Sequence, residues 1–374
     1  MVCKMQKREF GKTGLKTSIL GFGGFHLLEI PATEAAYLVD KYLDAGGNYI
    51  ETAASYGNGE SELKIGQVMK MRRHACVLAT KTGQRTKEGA LKSLHASLQN
   101  LNTDYLDLFI MHGVKTKEEL DTILGPNGAM EAVCQAQKEG KVKHVGISMH
   151  GHPHTLIDAL ERYPFDAVMS TINYYDRFNF PEIEEVLLPM AQQKGTAVIL
   201  MKPIADGLLW RSAPQAFRYA MSMPVSVVVT GMNTQEMLEK DLQYAKDFTP
   251  MSKREKEDLF KNAIELGTYV CRQCNKCLPC PQDIPIPEIF KYEGYFDRQM
   301  RDGIVRDPGE FALRDRLRFW FGNQEIAKEK YGQLARDIIH CIKCGKCSSR
   351  CPYDIDIVRK LKIADYKLSG KKYF

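Results

Sequence analysis

The chain has 374 residues, 44% of them hydrophobic and 26% charged, with a formal net charge of +6. That balance describes one large folded domain plus a smaller one, and it excludes a disordered or fibrous chain. No apolar run approaches the ~18 residues of a membrane span, and the charged start at residues 1–10 has no hydrophobic stretch behind it, so a cytoplasmic protein is expected.

After an opening segment that ends in Gly11-Lys12-Thr13-Gly14-Leu15, strand-like and helix-like patterns alternate. Strands are expected at 17–20, 49–52, 76–80, 106–111, 144–148, 166–170, 197–201 and 225–230. Amphipathic helices are expected at 33–45, 61–71, 87–101, 130–139, 154–161, 181–194, 212–221 and 235–244. Gly46, Gly140 and Gly195 stand where helices end in a left-handed residue. Eight strand–helix units in succession predict a (β/α)8 barrel over residues 1–250. An open doubly wound sheet would want a G-x-G-x-x-G loop after its first strand, and Gly21-Phe22-Gly23-Gly24 is not that pattern.

Thr249-Pro250-Met251-Ser252 reads as the boundary, with Ser252 capping a helix over 253–266 and a second, mainly helical domain filling 251–374. Here the cysteines gather. Cys341, Cys344, Cys347 and Cys351, followed by Pro352, have the spacing of the bacterial ferredoxin run that ligates [4Fe–4S] clusters. Cys271, Cys274, Cys277 and Cys280, followed by Pro281, nearly repeat it, which makes eight thiols for two cubanes. In such runs the cysteine before proline serves the neighbouring cluster. Disulfides and a pair of zinc sites are the rival readings, the second because C-x2-C pairs also bind zinc. Helix formers over 309–321 and 323–340 separate the runs, so the layout is similar to helical ferredoxins rather than compact ones. Residues 266–374 carry 21 basic and 14 acidic side chains, an excess of seven. Neutralising the anionic clusters accounts for that excess; docking a redox protein or a nucleic acid is the alternative, and the first is preferred. Cys3, Cys76 and Cys134 lie outside the runs, and Cys76 falls in an apolar strand.

Reactive groups of a barrel belong at the C-terminal ends of its strands. Those ends give Glu51, Lys81 and His112 on three consecutive strands, with Tyr56 in the loop after Glu51. This set makes a proton-donating site. A phenol, with an ordinary pKa of ~10, would need roughly 4 kcal/mol of help from the Lys81 ammonium to reach about 7. Glu51 would hold Lys81, and His112 would orient a carbonyl oxygen. His150, His152 and His154 could form a metal site on the same face, and Phe25, His26, Tyr174, Tyr175 and Phe178 would line the pocket mouth.

Several blocks carry a family resemblance. They are Arg8-Glu9-Phe10-Gly11-Lys12-Thr13-Gly14-Leu15, Asn48-Tyr49-Ile50-Glu51-Thr52-Ala53-Ala54-Ser55-Tyr56-Gly57, Ala79-Thr80-Lys81 and Asp107-Leu108-Phe109-Ile110-Met111-His112. With Val145-Gly146-Ile147-Ser148 and Gly231-Met232-Asn233-Thr234, the chain resembles the aldo-keto reductase superfamily over residues 6–246, and the cysteine runs make it similar to the ferredoxin-fused branch. The resemblance implies Tyr56 as general acid, Lys81 as its partner and His112 as substrate orienter, with Glu51 where the family usually has Asp. It also implies a nicotinamide cofactor, NAD(P)H, near Ser148, Lys202, Gly231 and Asn233. Besides Glu51, three positions depart from the family pattern: Met169 replaces a glutamine, Met201 an aromatic ring, and Asn233 an arginine that grips a 2′-phosphate.

The two halves pose a problem of electron counting, because a cubane passes one electron and reduction of a carbonyl takes two. The leading expectation is an iron–sulfur oxidoreductase acting on a small carbonyl or alcohol, with the clusters relaying electrons. One alternative is a nicotinamide-dependent carbonyl reductase with structural or oxygen-sensing clusters. The other is an electron-transfer module whose barrel is a scaffold.

Overall fold

The structure, a computed structural model, describes residues 5–150, 152–297 and 325–370. Cys3, the expected helix over 309–321 and the start of the one over 323–340 lie outside the described residues. The chain forms two compact units.

The first unit is a closed barrel of eight parallel strands: β3 (Leu20–Gly23), β4 (Tyr49–Glu51), β5 (Val77–Thr82), β6 (Leu106–Met111), β7 (Val142–Ser148), β8 (Ala167–Thr171), β9 (Ala197–Met201) and β10 (Val227–Gly231). They neighbour one another in chain order, and β10 closes on β3. Ahead of them β1 (Lys7–Glu9) and β2 (Lys16–Ser18) pair as an antiparallel hairpin. The expected strand over 17–20 is therefore corrected: its first half belongs to the hairpin, and the barrel strand begins at Leu20. Two glycines weaken the strand signal of Leu-Gly-Phe-Gly. The barrel needs the first of them, because a Cβ on Gly21 would press into the side chains of Tyr49 and Val227.

Helices α1 (Ala32–Asp44), α2 (Glu60–Arg72), α3 (Lys87–Asn100), α4 (Lys117–Leu124), α5 (Ala129–Lys138), α6 (His154–Arg162), α7 (Leu188–Lys194), α8 (Ala213–Met221) and α9 (Gln235–Lys246) connect the strands. Helix α4 was not expected from periodicity; the Thr116 side chain starts it by accepting from the Glu119 N–H. The stretch expected as one helix over 181–194 opens with a π-turn, Ile183–Leu187, before α7.

The barrel interior shows the period-2 rule. Tyr49, Val77, Ala79, Leu108, Ile110, Ala167, Ala197 and Ile199 form one buried core with Phe10. Continuing those rows by two residues leads from Tyr49 to Glu51, from Ala79 to Lys81 and from Ile110 to His112. The packed interior thus ends, at the C-terminal rim of three adjacent strands, in a carboxylate, an amine and an imidazole. Met169 and Met201, two of the departures noted above, belong to the same core.

The second unit comprises residues 251–374 with segments 173–181 and 204–215. It contains α10 (Lys253–Asn262), α11 (Ile286–Asp297), α12 (Glu325–Gly332), α13 (Lys346–Ser349) and α14 (Ile357–Ser369). Ser252 and Glu255 form a capping box at the head of α10, which stops at Asn262 rather than continuing to 266. Glu293 of α11 is fully buried; it accepts from Lys360, from Lys367 at 2.9 Å and from the Tyr269 hydroxyl, joining α11 to α14. Among the described residues, no helix is long and apolar enough to cross a membrane.

Candidate active site and cysteine cavities

Glu51, Tyr56 and Lys81 meet in the barrel. Lys81 Nζ contacts the Glu51 carboxylate, and it donates to the Thr52 carbonyl at 2.9 Å and to the Tyr56 hydroxyl at 3.2 Å. All three side chains are buried. The Tyr56 ring packs edge-on against His112 at 5.8 Å and against Phe25 at 5.0 Å. His112 Nδ1 lies 3.4 Å from the Ser55 hydroxyl. Strand register makes this meeting possible: Glu51 pairs with Ala79 and Lys81 with Ile110, so the rim residues of β4, β5 and β6 are near neighbours.

Burial sets the charge states. The Tyr56 phenol is pushed above its ordinary value by desolvation. This corrects the expectation of a phenol made acidic at neutral pH. The ammonium beside it is also paired with Glu51, so its charge offsets only part of the cost of burying a phenolate. Burial also pulls Lys81 down from its ordinary value. We hold that the carboxylate in contact with it keeps the amine charged, since an ion pair is the state in which both buried groups are compensated. His112 is lowered to about 3, first by burial and then by Lys81, Arg85 and Lys115, so the imidazole is neutral at physiological pH. His150, whose ring is 6.4 Å from that of His112, is lowered by burial and by Lys202.

The residues named for cofactor binding have other engagements. The buried Ser148 hydroxyl accepts from the Gly113 N–H at 3.0 Å and donates to the Met111 carbonyl at 3.3 Å. Asn233 Nδ2 donates to Glu29 at 2.6 Å, and its buried Oδ1 has no partner among the described residues. The His26 ring covers Gly231 so closely that a Cβ there would collide with it, and His26 Nδ1 lies 3.1 Å from Glu29. Lys202 has a left-handed backbone, φ 60°. A carboxylate and an orphan acceptor oxygen fit a group that donates hydrogen bonds. They do not fit a phosphate monoester, which brings only negative charge and acceptors.

Two small cavities lie among the cysteines. The first is lined by Cys271, Cys274 and Cys277 of the upstream run and by Cys351 of the downstream run. The second is lined by Cys341, Cys344, Cys347 and Cys280. The cysteine before proline thus crosses over in both directions. Among the described residues, no three His, Cys, Asp or Glu side chains converge as ligands of a single metal ion. Four thiols spread around an apolar hollow fit a multinuclear cluster better than a zinc ion, whose bonds to sulfur are only ~2.3 Å long. Among the described residues the three loop histidines do not converge either: the rings of His152 and His154 lie tilted 3.8 Å apart, while that of His150 is 6.4 Å from His112.

The sequence reading missed Arg350. Its guanidinium donates to the carbonyls of Cys277 at 2.7 Å, Leu278 at 3.1 Å and Pro279 at 2.9 Å, while Nε donates to Lys346. One side chain of the downstream run therefore clasps the backbone of the upstream run. Tyr174 and Phe178, expected at the pocket mouth, have their contacts in the second unit: Tyr174 donates to Glu265 at 3.1 Å, and Phe178 meets Phe260. No local signal distinguishes the two uses of an aromatic residue.

Comparison with known proteins follows the same division. The model of the Aldo/keto reductase family matches residues 19–215, and that of the 4Fe-4S dicluster domain matches residues 270–355. L-galactose dehydrogenase of Arabidopsis thaliana is 32% identical over 229 residues, which span 56% of this chain and 69% of that protein. NADH-specific methylglyoxal reductase of Escherichia coli is 26% identical over 234 residues, spanning 55% and 69%. Among solved structures, the holo form of aldo-keto reductase AKR11C1 from Bacillus halodurans aligns with a TM-score of 0.60 and 28% identity, covering 68% of this chain and 94% of that one.

Proposed function

This chain belongs to the aldo/keto reductase family and is an oxidoreductase with a C-terminal 4Fe-4S dicluster domain, and on that premise we propose that it interconverts a carbonyl and an alcohol, or a closely related pair, on a small molecule. In this reading two [4Fe–4S] clusters would supply the two electrons of the reduction, Tyr56 the proton that goes to oxygen, and solvent the proton that goes to carbon. The observation that carries it is the buried contact of Tyr56, Lys81 and Glu51 at the end of the barrel's interior rows. Tyr56 keeps its proton because the site is dry, and hands it to the carbonyl oxygen as negative charge develops there. Lys81, 3.2 Å away, then donates to the phenolate oxygen. Glu51 fixes the ammonium in place. His112, neutral, orients the substrate oxygen with its ring N–H.

Cys271, Cys274, Cys277 and Cys351 would hold one cluster; Cys280, Cys341, Cys344 and Cys347 would hold the other. When bound, each cluster takes up or gives one electron at a time, which is chemistry the side chains lack. Iron and sulfide analysis with EPR on anaerobic protein, titrated with reductant and candidate carbonyls, tests the reading. Clusters that cycle with substrate support it; spectra unmoved by substrate in an active preparation would sink it.

A second reading, a nicotinamide-dependent carbonyl reductase with structural clusters, is favoured by the corner at Glu29 and Asn233. Its acceptors suit the free hydroxyls of a ribose, which points to NADH rather than NADPH. The Escherichia coli relative, named NADH-specific, agrees with that preference. Titrating the same EPR sample with NADH and NADPH separates the two readings.

A further inference from the structure

Two of the loops that leave the C-terminal ends of barrel strands are not packed as barrel. Segments 173–181, after β8, and 204–215, after β9, belong to the compact unit of residues 251–374. Their contacts within that unit are specific. Phe180 stacks on Tyr295 of α11 at 5.1 Å with the ring planes 11° apart. Asn179 lies so close to Gly294 that a Cβ there would collide with its side-chain amide. Phe178 meets Phe260 edge-on at 5.3 Å, and the Arg177 guanidinium lies 5.0 Å over the same ring. Glu265 accepts from Ser212 at 2.6 Å and from Tyr174 at 3.1 Å, so one carboxylate ties the two segments together.

Each anchor is one step from a cysteine cavity. Arg272, buried next to Cys271 on the wall of the first cavity, donates to the carbonyls of Phe260 at 3.4 Å, Leu266 at 3.1 Å and Val270. Helix α11, which presents Gly294 and Tyr295 to the loops, also gives Pro287 and Phe290 to the first cavity and Ile286 to the second. Where ligands close around a metal group, the binding free energy is folding free energy of the segment that supplies them. A segment that loses it opens locally, and whatever packs on it opens too.

We propose that occupancy of the cysteine cavities orders segments 173–181 and 204–215, so that loss of the clusters frees the two segments that follow β8 and β9 in the chain. The barrel itself, with its own continuous core, stays folded. The proposal rests on reading the cysteines as cluster ligands, and is independent of what the barrel reacts with.

Hydrogen–deuterium exchange of the full chain tests it, comparing anaerobically purified protein, protein stripped of iron by a chelator, and protein reconstituted with iron and sulfide. Stripping should speed exchange about tenfold or more in 173–181 and 204–215, with recovery on reconstitution and no change in β6 and β7. Iron-loaded and stripped protein with equal protection in the two segments would overturn the proposal. A preparation that takes up no iron and sulfide would instead sink the reading of the cysteines. If stripping unfolds the barrel as well, loaded Phe180→Ala and Glu265→Gln decide the matter. Faster exchange in the two segments at unchanged iron content supports the coupling, and unchanged exchange overturns it.

Discussion

Lys81 Nζ stands 3.2 Å from the Tyr56 hydroxyl, and both groups are buried at the rim of the barrel's interior. The amine is thus placed to receive the phenolate that proton donation leaves behind. Tyr56→Phe keeps the ring and its packing against Phe25 and His112 but removes the proton. It should lower kcat for carbonyl reduction by about 10²–10⁴ while leaving KM within a few-fold. Steady-state kinetics on any accepted carbonyl checks this, and a variant with near-normal kcat would exclude the phenol as the acid.

The same burial predicts the pH profile. Because desolvation raises the Tyr56 pKa above its ordinary value, the donor form persists through neutral pH and is lost only on the alkaline side of ~10. The kcat for carbonyl reduction should therefore be flat from about pH 6 to 9 where proton donation limits the rate. An acidic phenol would instead give a rate that falls as pH rises through about 7. The position of the alkaline limb distinguishes the two.

Glu51 and Lys81 are a buried ion pair, and removal of one partner leaves the other charge stranded. Glu51→Gln should cost about 3 kcal/mol or more in unfolding free energy, read from the urea midpoint. Glu51→Asp keeps the charge on a side chain one methylene shorter and should cost clearly less. Equal loss in the two variants would mean that shape, not charge, matters at this position.

How far such a site can be read from sequence depends on which part of it is local. Lys81 and His112 were legible because strands alternate: each continues an inward row begun by Ala79 or Ile110, and a polar residue at the end of such a row marks where the apolar interior stops. The first barrel strand was misplaced because Gly21 and Gly23, which its crowded interior requires, carry no strand signal. The charge state of Tyr56 was read backwards, since dryness and the Glu51 contact are properties of the assembled site. Arg350 and the segment 173–181 have no local signature, because their roles are fixed by partners about 70 to 120 residues away in the chain.

His112 supplies a stability test. With its folded pKa near 3 and an unfolded value of about 6.5, the unfolded chain binds a proton that the folded chain refuses throughout that window. The contribution is complete above about pH 6.5 and is lost as pH falls toward 3, on the order of 2 kcal/mol by pH 5. Urea melts between pH 7.5 and 5 should therefore show a steeper loss in the native protein than in His112→Asn. Parallel slopes would show that the imidazole is not held neutral.

The crossing of the cysteines gives the most direct test of the second unit. If clusters were confined to single runs, Cys351→Ser would damage the cluster held by Cys341, Cys344 and Cys347. The cavities imply the opposite: Cys351 completes the set of Cys271, Cys274 and Cys277, and Cys280 completes the downstream set. Single substitutions at Cys351 and at Cys274 should therefore abolish or alter the same EPR signal, and those at Cys280 and Cys344 the other. The Arg350 clasp onto Cys277, Leu278 and Pro279 sharpens the expectation. Arg350→Met leaves all eight thiols in place but removes what holds the two runs in register, so it should lower iron content in both sets. Loss of one signal alone in Arg350→Met, or pairing of Cys351 with Cys344, would refute the crossed arrangement.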